Sequence, residues 1–194
     1  MKRVPRSARH RGFTLVEVLI AVAILSMLLL ATTAALQASI DSFSANQASA
    51  DTLLRGRLTM MRISQQIRAG SDHLPITLAK QTGFIAGATV TDTGVSFQSD
   101  VGEEVNYMFD SASSSLKVSV DGGTSRTLAS NVSAFAVKLT PTRSATSIKT
   151  GGIFDELERA NITLTLIPNV DGEQIVGQTL VLSESVTPRA RLWN

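Results

Sequence analysis

Between Val18 and Ile40 the chain carries no charged residue, and this run constrains what the rest can fold into more than any other feature. As a helix rising about 1.5 Å per residue, it is long enough to cross a hydrocarbon core of about 30 Å. Ser26, Thr32 and Thr33 interrupt its apolar character without ending it. Immediately before it stands Gly12-Phe13-Thr14-Leu15-Val16-Glu17, so a basic leader ends at a glycine and one carboxylate lies just inside the apolar segment. A carboxylate deep in a bilayer costs about 2.5–3.5 kcal/mol on insertion scales, so Glu17 is expected to be shallow, paired or retained for a function.

A secretory signal peptide also joins a basic region to an apolar core, and Thr33-Ala34-Ala35 offers it a small-residue cleavage site. The carboxylate inside the core, and the continuation of the run past that point, argue against it. An ordinary single-span anchor would let Glu17 snorkel to the headgroups, but it leaves the register of glycine, phenylalanine and glutamate unexplained. Lys2, Arg3, Arg6, Arg9 and Arg11 supply five of the 18 basic residues, and subtracting them leaves 13 basic against 16 acidic. The basic balance therefore belongs to the leader. It predicts topology, with the basic end in the cytoplasm and the remainder exported, and it excludes a nucleic-acid patch. About 150 residues follow the membrane segment, enough for one domain with a single core. With no cysteine in the chain, that domain must be held by packing, by partners or by an ion.

From 41 to 69 the only Gly or Pro is Gly56, and the composition favours helix. Phe43, Gln47, Ala50, Leu54, Leu58 and Met61 recur at spacings of three and four, and Leu53, Met60, Ile63 and Ile67 widen that stripe, which predicts one face laid on a domain. Asp51, Arg55, Arg62 and Arg68 mark a solvated opposite face. Gly70-Ser71-Asp72, with Pro75 beyond, is a stop signal. A continuous helix from Thr14 to Ala69 would be about 84 Å long.

Beyond Pro75 the pattern turns to short extended runs. Residues 95–99 and 104–109 alternate apolar with polar, and 116–120 and 125–129 flank Asp121-Gly122-Gly123, a hairpin signal. Further strands are expected at 134–140, 162–167 and 175–182, with a turn at Asp171-Gly172. The fold class is α+β: a long N-terminal helix packed on an antiparallel sheet. The irregular stretch 141–159 contains Asp155, Glu156 and Glu158, carboxylates that could hold a calcium ion, although they lack EF-hand spacing and Leu157 suggests a short helical turn. A solvated loop or partner surface is the plainer reading of that stretch. Nothing supports catalysis: outside the leader the only histidine is His73, expected as a surface or capping residue, and no nucleophile elbow or phosphate loop is present.

GFTLVEVLIAVAIL, residues 12–25, resembles the processing site of the type IV prepilin superfamily: pilins, the pseudopilins of type II secretion and competence pseudopilins. The resemblance implies a pilin-like fold, cleavage after Gly12 by a prepilin peptidase, N-methylation of Phe13, and an assembly and register role for Glu17. It also implies a leader (1–12), a membrane and assembly helix (13–38), an exported half of that helix (39–70) and a β-rich domain (71–194). The protein would cross the inner membrane once, with its N-terminus cytoplasmic and its domain periplasmic, and enter a filament. Implied partners are other pilin or pseudopilin subunits, an inner-membrane assembly platform and exported protein cargo. Residues 13–74 lack the proline found in the membrane segment of many major pilins, and 183–194 is similar to the ending of many minor subunits. The nearest class is a J-type minor pseudopilin of type II secretion, followed by a W-type minor pilin of a type IV pilus. A membrane-anchored binding module, its sheet presenting a ligand site, is the alternative.

Overall fold

A computed structural model describes residues 13–142, 156–170, 173–174 and 178–189. The chain divides between Ser44 and Ala45 into two compact units. Helix α1, Leu15–Ala69, is unbroken, as expected of a stretch without proline whose one glycine is Gly56. In the first unit every side chain from Phe13 to Phe43 is exposed, including the whole apolar run. Its hydroxyls are satisfied locally: Ser26, Thr32, Thr33 and Ser39 donate to the carbonyls of Ala23, Leu29, Leu30 and Ala35 at 2.8–2.9 Å.

The second unit begins inside α1 and continues with β1 (Ser71–Pro75), α2 (Leu78–Ile85), β2 (Val90–Asp92), β3 (Gly94–Gln98), β4 (Glu104–Asp110), β5 (Ser115–Val120) and β6 (Arg126–Ala129). There follow β7 (Val132–Thr142), β8 (Glu156–Leu166), β9 (Asn169–Val170), β10 (Glu173–Gln174) and β11 (Leu180–Val186). One sheet has the order β1-β3-β4-β5-β6 and the other β11-β8-β7-β2, with β9 and β10 paired as a small hairpin. All pairings are antiparallel. The α+β class thus holds, with two main sheets where one was expected. Met60, Ile63 and Ile67 of α1 join Phe84, Phe97, Tyr107, Phe135, Ile162 and Leu164 in one apolar cluster.

The buried face of α1 differs from the predicted stripe. Phe43, Leu54, Leu58 and Met61 are more than half exposed, and the buried positions are Gly56, Thr59, Met60, Ile63, Ser64 and Ile67. Of the widening residues, Met60, Ile63 and Ile67 are core and Leu53 is half-buried, whereas the principal residues are exposed. Gly56 is on the buried face because β8 and β11 approach closely there: a Cβ on Gly56 would lie 2.5 Å from Leu166 Cδ1 and 2.7 Å from Leu182 Cδ1. Asp51, Arg55, Arg62 and Arg68 are exposed, as their charge predicts.

The helix stops where Gly70 signalled. The Gly70 N–H bonds the Gln66 carbonyl at 2.8 Å, and the Arg189 N–H bonds that of Arg68 at 3.0 Å. His73 Nε2 meets the Ile67 carbonyl at 2.8 Å and therefore carries the hydrogen. Three carbonyls that a helix end leaves without partners are thereby satisfied. His73 is a cap but not a surface residue: it is 3% exposed and stacks on Phe97, with ring centroids 5.6 Å apart.

Five elements were not foreseen: β1, α2, β2, β9 and β10. Within 141–159, the described residues continue strands at both ends, β7 to Thr142 and β8 from Glu156. Leu157 is in a strand, not a helical turn, and is buried. A register shift opposite Thr140 and Pro141 leaves Glu158 unpaired, so Leu157 and Ala160, of opposite parity, both face the core. Asp171-Gly172 and 175–177 lie outside the described residues, and the last strand runs over Leu180–Val186, later than expected.

Candidate assembly and processing site

Gly12 lies outside the described residues, and Phe13, the first of them, is 86% exposed. One turn on, Thr14 and Glu17 form a reciprocal cap. The Thr14 N–H and hydroxyl donate to Glu17 Oε2 at 2.9 and 3.0 Å, and the Glu17 N–H donates back to Thr14 Oγ1 at 3.3 Å. This is a capping box, in which a hydroxyl residue and a glutamate three positions later each satisfy a backbone N–H at a helix start. Thr14-x-x-Glu17 is readable as that pattern in the sequence, a role for Glu17 beside snorkelling to the headgroups and pairing with another chain. The acidic group also sits at the helix end where the backbone dipole favours negative charge. At the other end of the apolar run, Gln37 Nε2 donates to Asp41 Oδ1 at 3.0 Å.

The exposed apolar residues continue past the membrane-length run through Phe43, Leu54, Leu58 and Met61. Arg55 pairs with Asp51 at 2.9 Å in an exposed ion pair one helical turn long, which contributes little to stability.

The carboxylates suggested for calcium are not assembled into a site among the described residues. Asp155 lies outside them, Glu156 opens β8, and Glu158 is exposed at the register shift. No group of three or more His, Asp or Glu positioned for a metal occurs among the described residues.

Sequence reasoning missed Asp92, a carboxylate 2% exposed at the end of β2. Its Oδ2 accepts the Thr77 N–H at 2.8 Å, and its Oδ1 accepts the Thr93 N–H at 2.8 Å, the Thr77 hydroxyl at 2.9 Å and Lys80 Nζ at 3.0 Å. Burial pushes this carboxyl up, but the bonds from Thr77, Lys80 and Thr93 outweigh it and hold it below the ordinary carboxylate range. Across the outer surface of the first sheet, an open groove of about 370 Å³ is lined by Leu74, Ser96, Asn106, Met108, Lys117 and Ser119 among others. Glu104 also lines it, accepting from Ser96 and Asn106 at 3.1 Å, and Lys117 is paired with Asp110. Tyr107, under the same sheet, is fully buried with its hydroxyl on Gln66 Oε1, and burial pushes its phenol above the usual value.

Residues 7–33 match the family described as the prokaryotic N-terminal methylation motif. With the long apolar helix that follows, the motif fits a type IV prepilin-like protein and supports a pilin or pseudopilin family member. It implies processing by prepilin peptidase and assembly with other pilin subunits. Near the N-terminus, α1 is long and apolar enough to cross a membrane once. No curated protein and no solved structure matches the chain.

Proposed function

We propose that this protein is a minor pseudopilin, a structural subunit of a type II secretion pseudopilus that takes part in protein export. The observation that carries it is the matched methylation motif at the head of a helix whose apolar run is exposed throughout. Peptidase cleavage after Gly12 frees an amine on Phe13, which is then methylated, and removes the five positive charges that hold the end in the cytoplasm. The shortened subunit can then be drawn out of the bilayer by the assembly platform. Glu17 of one subunit neutralises the Phe13 amine of a neighbour in low dielectric, where opposite charges within about 4–6 Å favour both charged forms. That pairing sets axial register. Residues 18–36 exchange lipid for the apolar helices of neighbours, so little hydrophobic energy is lost on extraction. The exposed Phe43, Leu54, Leu58 and Met61 extend the same kind of contact into the exported part of the filament. A place near the tip would bring the globular part against exported cargo.

Gly12→Val tests this. The residue before the scissile bond must fit where a side chain would clash, so the variant is expected to stay uncut, whereas the wild type yields a mature chain beginning at N-methylated Phe13. Mass spectrometry of the membrane fraction reads both. Normal removal of 1–12 from the variant would refute the prepilin reading, and a mature wild type that co-purifies with no secretion subunit would leave an anchored binding module instead. Co-purification with secretion subunits or with pilus subunits separates the pseudopilin from a minor pilin of a type IV pilus or a competence pseudopilus.

A further inference from the structure

Each of the two main sheets has two edges, and three of the four are blunted. β1 has a register shift between Ser71 and Leu74 and ends at Pro75, and β6 is four residues long beside another register shift. β2 has three residues, and Lys80 Nζ holds its Thr91 carbonyl at 2.8 Å. Short strands, bulges, prolines and lysines are the devices by which an edge avoids pairing with another chain. β11 has none of them: all seven residues, Leu180–Val186, pair with β8 without a shift, and none is proline or lysine. On its other side no backbone hydrogen bond occurs among the described residues until the Arg189 N–H meets the Arg68 carbonyl. Such an edge presents outward N–H and C=O groups at every second residue, about 6.8 Å apart, a spacing that another extended chain matches.

One residue of β11 restricts which chain can enter. Glu184 lies on the face shared with Leu180, Leu182 and Val186, the face on which Leu182 approaches Gly56. It is half-buried, lies beside Ile162 of β8 and has no ion pair among the described residues. A strand laid along the open edge sets one side chain directly opposite Glu184 on that face. An apolar residue there strips water from the carboxylate without replacing it, and an acidic one repels it, whereas a lysine or arginine neutralises it. A second copy of β11 does not meet this condition, because Leu180–Val186 contains no basic residue and a register centred on Glu184 sets two carboxylates against each other.

We propose that the free edge of β11 receives an extended segment of another protein as an added strand, antiparallel like every other pairing in the domain, with a lysine or arginine opposite Glu184. Backbone bonds hold the segment, and Glu184 selects it. This binding needs neither the processed N-terminus nor Glu17, so its loss and the loss of filament assembly are separable.

The test uses the full-length protein in detergent micelles and a fluorescent peptide, Thr-Val-Thr-Lys-Thr-Val-Thr, read by anisotropy. A second peptide has glutamate at the centre, and two more keep the lysine but carry N-methyl groups on alternate backbone nitrogens, one set for each edge of the strand. The lysine peptide is expected to bind about ten-fold more tightly than the glutamate peptide, the combined effect of an attractive and a repulsive cross-strand pair. One N-methylated set is expected to abolish binding and the other to leave it, because alternate residues point their N–H groups to opposite edges. Glu184→Gln should remove the preference between the two central residues, and Glu184→Lys should reverse it. Equal affinity of the wild type for both peptides, or binding that survives both N-methylated sets, would overturn the proposal without any variant having to fold. So would binding that appears only when residues 190–194 are removed, or a dimer in sedimentation that the lysine peptide does not disperse, since the edge would then belong to the chain's own end or to a second copy.

Discussion

Removing the carboxylate of Asp92 should unlatch α2 from the sheet, and the size of the effect follows from its partners. Thr77, the N-cap of α2, makes no capping bond with its own side chain; its N–H and hydroxyl both go to Asp92. Asp92→Ala leaves the Thr77 and Thr93 N–H groups without their acceptor, at about 1–3 kcal/mol for each that stays dry. The Lys80 ion pair adds little, since the lysine side chain is 40% exposed and regains water, keeping its 2.8 Å bond to the Thr91 carbonyl. The expected loss is therefore about 3–5 kcal/mol for Asp92→Ala, against about 1 kcal/mol or less for Lys80→Met. Asp92→Asn falls between: an amide oxygen in place of Oδ1 keeps three bonds and turns an amine toward the Thr77 N–H. At about 2–4 °C per kcal/mol for a domain of this size, the alanine variant should melt roughly 10 °C lower. Circular dichroism of residues 39–194 during thermal and urea unfolding would measure it. Because the folded carboxyl titrates below its unfolded value, its contribution is complete above about pH 4 and fades as pH falls through the folded pKa, so the gap between wild type and Asp92→Asn should close in acid. A loss under 1 kcal/mol for Asp92→Ala at neutral pH, or a gap that widens in acid, would refute the account.

Burial of His73 pushes its imidazole below the usual value, more than the Ile67 carbonyl and Asp72 pull it up, so folding favours the neutral ring. Its share of stability is complete above about pH 6.5 and is lost as pH falls below that value, and His73→Leu should flatten this part of a stability-against-pH curve while lowering it overall. Gly94→Ala should cost about 1–3 kcal/mol, because a Cβ there presses on the Tyr107 carbonyl oxygen across the β3–β4 ladder and on Ile76 Cγ2 at 2.9 Å. Gly83→Ala, inside α2 and meeting only Val90 at 3.9 Å, should instead stabilise by about 0.5–1 kcal/mol; urea midpoints of the two variants moving the same way would contradict the geometry.

What could be read in advance was local. Gly70 ended α1, and Asp121-Gly122 turned a hairpin with φ of 49° and 67°, because both signals depend on the backbone preferences of one or two residues. The apolar run and the Gly12, Phe13, Glu17 register needed no tertiary knowledge either. The inward face of α1 did, since hydrophobicity favoured Leu54, Leu58 and Met61 while close packing against Leu166 and Leu182 selected Gly56. Likewise α2 was hidden because the group that anchors its first turn, Asp92, comes after the helix and not before it. The start of β8 was hidden because the register shift at Glu158 breaks the alternation that marks a strand.

The hydroxyls of Ser26, Thr32, Thr33 and Ser39 already donate to carbonyls of their own helix. A side chain that spends its donor at home has nothing to negotiate with its surroundings, whether those are acyl chains or the flank of another helix. Moving such a segment lengthwise breaks no hydrogen bond along the way, so the resistance to motion is concentrated at its charged head. Work done on this helix can then go into displacing one end group instead of being dissipated at each polar residue it carries.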